Sequence, residues 1–112
     1  MISINLFNIN TVTANRDEIV SDLNNLAAMA HEYYLKPSSM GGGGNSFLNF
    51  LIPEGFSPNA NGTYSIKVNG SATSIKFEGI GTSIVSGNNH VTVDMIVYAP
   101  NIGATDSMVV VY

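Results

Sequence analysis

A chain of 112 residues makes one domain, and a domain of this size buries roughly 65% of the surface its unfolded chain exposes, enough for a core without covalent staples. Cysteine is absent, which excludes a disulfide framework and a thiolate zinc site. Charged residues are only 11% of the chain and the net charge is -4; with Arg16, Lys36, Lys67 and Lys76 scattered, the cationic footprint that draws proteins to nucleic acid or to anionic membrane surfaces is missing.

The chain opens on "MISINLFNIN", in which Ile2, Ile4, Leu6, Phe7 and Ile9 are apolar. This is far short of the ~20 residues of a membrane span, and no cationic segment and cleavage site mark a signal peptide. So apolar a start asks for burial against something. Residues 15–36, "NRDEIVSDLNNLAAMAHEYYLK", give the clearest periodicity: Ile19, Leu23, Leu26, Ala30 and Tyr33 or Tyr34 recur at helical steps, with Asp22, Asn25 and Glu32 off the stripe. The stripe predicts an amphipathic helix of five to six turns. Asn15 and Glu18 have capping-box spacing, and Lys36 before Pro37 suits a stop. Ile2, Leu6, Ile9 and Thr13 also fit helical steps, so an earlier start is equally open, although Thr11, Val12 and Thr13 weaken it by a few tenths of a kcal/mol each.

Residues 37–61 form a glycine-rich connection. Gly41 to Gly44 follow a helix end rather than a strand, and the residues directly after them, Asn45 and Ser46, include no lysine. Phosphate-cradling loops need the opposite order, because the free N–H groups lie at a helix N-terminus. The glycines read as a crossing loop, close-packed on the helix or free to adopt left-handed conformations, where the chain leaves the helix and swings over to the sheet. From residue 62 the period becomes two: "TYSIKV", "SIKFEGI" and "VTVDMIVY" alternate apolar with polar residues, and "MVVVY" reads as a fourth strand held by pairing and burial. Burying two valines and a tyrosine there is worth roughly 5 kcal/mol before chain entropy. Asn69-Gly70 is a hairpin signal, and the strands are expected to form an antiparallel meander.

The expected fold is therefore α+β in one domain: a helix over 1–36, the connection over 37–61, and three to four antiparallel strands over 62–112. Ile19, Leu23, Leu26, Ala30 and Tyr33 are the expected seam against one sheet face, and the other face is left wet or meets a partner. His31 and His90 have no converging ligands or nucleophile in the sequence pattern, and Asp94 reads as exposed on the face opposite Val93 and Met95. No catalytic residue, metal ligand or cofactor site is assigned. Asn61-Gly62-Thr63 and Asn69-Gly70-Ser71 match the glycosylation acceptor pattern but double as turns.

The stretch "NRDEIVSDLNNLAAMAHEYYLKP", followed by "GGGGNSF" and "NGTYSI", resembles the type IV pilin-like family, with the likeness spanning residues 2 to 98. The resemblance implies an amphipathic half-helix on an antiparallel sheet, continuous with an apolar half that enters a membrane or a filament core. The family's leader, its long apolar run and the glutamate near the mature N-terminus have no counterpart here, and Met1 to Ile9 read as the last turns of such a run. On this reading Ile2, Leu6, Phe7 and Ile9 are the stump of the assembly helix. The expected protein is a non-enzymatic structural subunit of an extracellular or cell-surface filament, or a pilin-like component of a secretion or adhesion system. Its partners would be other pilin-like subunits, with membrane contact only through the missing segment. The alternative is a free-standing ligand-binding or protein-interaction module that uses the open sheet face.

Overall fold

The computed structural model describes residues 2–100 and 102–112, with the side chains of residues 2–10 outside the description. Helix α1 (Ile2–Leu35) precedes four strands, β1 (Gly62–Val68), β2 (Ser74–Ser86), β3 (Asn89–Tyr98) and β4 (Ser107–Val110). The strands pair in the order β1-β2-β3-β4, every pair antiparallel. The helix lies across β2 and β3. This is the expected α+β arrangement, with one helix on a four-stranded meander.

The two periodicities meet in one core. From the helix come Ile19, Leu23, Leu26 and Ala30, all fully buried; from the sheet come Ile75, Phe77, Val91, Val93 and Val97. Burying a large apolar side chain is worth about 1.5–3 kcal/mol, so this seam, rather than helix propensity, holds α1 in place. Close approach is made possible at Gly79, where an added Cβ would lie 2.7 Å from Ile19 Cγ2 and 3.0 Å from the Tyr64 ring.

Several local expectations are corrected. Asn15 does not cap the helix: α1 already runs through it, and its buried side chain instead bridges two other segments. Its Nδ2 donates to the Asn61 carbonyl at 2.9 Å, and its Oδ1 accepts from Ser83 N at 3.1 Å. Ser83 lies where the β2–β3 register shifts between Ile80 and Ile84, so a strand irregularity supplies the free donor.

The four glycines do more than let the chain turn away. Gly43 N donates to Tyr33 O at 2.7 Å and Asn45 N to Tyr34 O at 2.7 Å, so the loop folds back and satisfies carbonyls that the last helical turn leaves free. A Cβ on Gly43 would run into the Ser46 carbonyl, and one on Gly42 into the Lys36 carbonyl.

The connection also contributes to the core, because Phe47 and Phe50 are buried. Phe47 stacks at a tilt on Tyr34 with centroids 5.0 Å apart, and Phe50 meets Phe77 edge-on at 5.8 Å. Asn69-Gly70 does open the β1–β2 hairpin, whose connection spans residues 69–73. Gly70 also passes so close to the Phe47 carbonyl that a Cβ would not fit.

β4 departs furthest from expectation. Its pairing is present, but Val109, Val110, Val111 and Tyr112 stay 45–62% exposed. The helix covers β2 and β3 rather than this edge strand, so the burial expected of "MVVVY" is not realised.

Candidate functional site

Of the residues assigned to the helix–sheet seam, Ile19, Leu23, Leu26 and Ala30 have no exposed surface. Tyr33 lies at the margin: its ring meets Phe50 edge-on at 5.3 Å and its hydroxyl donates to Leu48 O at 2.6 Å, tying the connection to the helix. Ile2, Leu6, Phe7 and Ile9 lie within the helical backbone, but their side chains are outside the described residues.

The histidines are both structural in their contacts. His31 Nε2 lies 2.7 Å from Asp106 Oδ2, while Asp106 Oδ1 accepts from Tyr98 N at 2.8 Å, so one carboxylate links α1 to the connection between β3 and β4. His90 Nδ1 donates to the Gly81 carbonyl at 3.0 Å. Among the described residues no three His, Asp or Glu side chains are placed to hold a metal ion.

Two polar clusters went unread in the sequence. In the first, Asp22 Oδ2 accepts from Asn61 Nδ2 at 2.9 Å, from Asn59 Nδ2 at 3.3 Å and from the Tyr64 hydroxyl. Burial pushes the Asp22 carboxyl up, but the hydrogen bonds from Asn61, Tyr64 and Asn59 outweigh it and hold the group below the usual carboxylate range. Burial and the adjacent Asp22 push the Tyr64 hydroxyl in the opposite direction, well above its ordinary value. Asn61 is thereby committed to Asp22, which explains its place in a turn without invoking an attached carbohydrate.

The second cluster lies on the uncovered sheet face. Lys67 on β1 reaches Asp94 on β3 at 2.6 Å and Glu78 on β2 at 3.5 Å. The hydrogen bond to Asp94 raises the lysine's affinity for its proton. Asp94 is not exposed as expected but 7% accessible. The reason is lateral: it sits mid-sheet, opposite Glu78 on one side and Val109 on the other, so neighbouring side chains cover it although no second layer does. Its Oδ1 is covered and has no hydrogen-bond partner among the described residues.

The surface also carries grooves. One of 430 Å³ is lined by Thr11, Val12 and the β2–β3 tip from Thr82 to Gly87; another of 370 Å³ on the same helical segment is lined by Asn15, Glu18 and Ala60. Ile84 and Val85 at that tip are exposed. Among the described residues no helix is long and apolar enough to cross a membrane. Among the described residues the exposed features thus include a sheet face without a helix on it, an apolar strand edge and the groove beside Thr11 and Val12. Comparison with protein-family models, with curated proteins and with solved structures gives no match.

Proposed function

We propose that this protein is a structural subunit of an extracellular or cell-surface filament, of type IV pilin-like design. The carrying observation is the proportion of helix to sheet. The described seam begins at Val12, beside the tip of the β2–β3 hairpin, yet α1 continues back to Ile2. At 1.5 Å per residue the backbone of α1 runs roughly 15 Å N-terminal of Val12, through a stretch whose sequence holds Ile2, Leu6, Phe7 and Ile9. An apolar helical extension on a folded head is suited to packing against its equivalents in neighbouring subunits, with the head outward. The sheet and its Asn- and Gly-containing turns then face solvent or lateral neighbours.

Immunogold labelling of the cells that make the protein tests this reading. Repeated label along surface filaments is expected, and its loss when Leu6 and Phe7 are both replaced by Asp, with the head still folded by circular dichroism. Label confined to the cell interior, or filament label unaffected by the double replacement, overturns it.

A further inference from the structure

We infer that the free edge of β4 is a self-association surface, on which a second copy of this chain pairs its own β4 antiparallel about a two-fold axis. The two edges of the sheet are built differently. On β1, Tyr64 N donates to Ser57 Oγ at 2.7 Å and the Gly62 carbonyl accepts from Asn59 N at 2.9 Å, while the rest of the strand carries Lys67 and a register irregularity between Ile66 and Val68. A covering loop, a lysine and a bulge are the common guards against edge pairing. β4 is short and its ladder bulges only past its end, where Val111 N and Tyr112 N both donate to Thr92 O; within it no lysine or proline guards the edge, residues 108–112 carry no charged side chain, and Ser107 to Val110 pair with β3 in unbroken register.

The backbone fixes how a partner would sit. Val111 N donates to Thr92 O at 2.8 Å. By the alternation of an antiparallel ladder, Val109 and Ser107 also direct their backbone groups to β3, so Met108 and Val110 direct theirs to the open edge. A two-fold pairing that sets Met108 opposite the second copy's Val110 exchanges all of these groups in two hydrogen-bonded pairs. It places Val109, which is 62% exposed, opposite its own equivalent at the axis. No like charges are opposed, so the strip is complementary to itself. Extension of β4 onto the β1 edge of another copy meets the guards on β1, so association closes at two chains. A strand pair this short falls below the ~800 Å² per partner of a standard interface, and the dimer is weak and concentration-dependent. The inference does not rest on the filament reading, because it concerns the isolated chain.

Sedimentation velocity over a concentration series tests it, with a reversible monomer–dimer equilibrium expected. Val110→Pro removes an outward N–H while sparing the ladder to β3, and Val109→Lys opposes two cations at the axis; each should raise Kd at least tenfold with the fold intact by circular dichroism. Because the chain has no cysteine, V109C reports register directly: mild oxidation should give a disulfide-linked dimer, whereas V68C, exposed on the guarded edge, should not. A monomer at every concentration, a dimer insensitive to V110P, or equal cross-linking of the two cysteine variants overturns the proposal.

Discussion

Asp22 shows how much one side chain can organise in a chain with so few charges. A single oxygen, Oδ2, receives Asn59 and Asn61 from the connection and Tyr64 from β1, so the carboxylate joins three segments at the edge of the core. Hydrogen bonds to a charged acceptor are worth about 1.5–3 kcal/mol each, and less when they share one oxygen, so Asp22→Ala should cost about 2 kcal/mol. Asp22→Asn isolates the charge. Because the folded state holds this carboxyl below its ordinary range, its contribution is fully present above the unfolded-state value and is lost as pH falls through the folded-state value. The stability gap between the natural chain and Asp22→Asn should therefore be widest at pH 7 and shrink below about pH 4. Urea midpoints at pH 7 and in acid measure it, and a gap independent of pH would show that the charge contributes nothing.

At the scale of elements, the glycine loop is part of the helix rather than a tether after it. Gly43 gives its N–H to Tyr33 O and lies against the Ser46 carbonyl, leaving no room for a Cβ. Gly43→Ala should cost about 2–3 kcal/mol through overpacking. Gly55→Ala, at φ +85 with open space around it, should cost only about 1 kcal/mol for the left-handed backbone. Chemical denaturation followed at 222 nm compares them, and equal costs would return the glycines to the role of a simple flexible crossing. The sequence alone left open whether the glycines pack on the helix or only free the chain to turn, and the reason is instructive. Ile19, Leu23, Leu26 and Ala30 declare a helical face by spacing, and the strands declare themselves by alternation, because both patterns are set by local geometry. The cap at Gly43, the Asn15 bridge to Ser83 and the Asp22 hub join residues far apart in the chain, so no local period carries them. β4 misled for another reason: three valines and a tyrosine specify a strand but not whether a helix reaches far enough to cover it.

For the molecule as a whole, the question is whether the connection of residues 37–61 is an accessory or a structural layer. Phe47 is fully buried between Tyr34 and His31 of the helix. Phe50 reaches Phe77 in the middle of the sheet. Helix, connection and sheet thus share a single cluster of buried side chains, and none of the three can be withdrawn without opening the other two to water. Phe47→Ala should therefore cost about 3–5 kcal/mol, a large part of the 5–15 kcal/mol typical of a domain, and it should lower the melting of everything at once. Far-UV circular dichroism, which follows α1, and near-UV dichroism, which follows the tyrosines around the core, should give coincident transitions both in the natural chain and in this variant. If the near-UV signal of the variant were lost first while the helix persisted, the connection would be a detachable cover. The sheet with its bound helix would then be the cooperative unit, and the burial of Phe47 would be incidental to it.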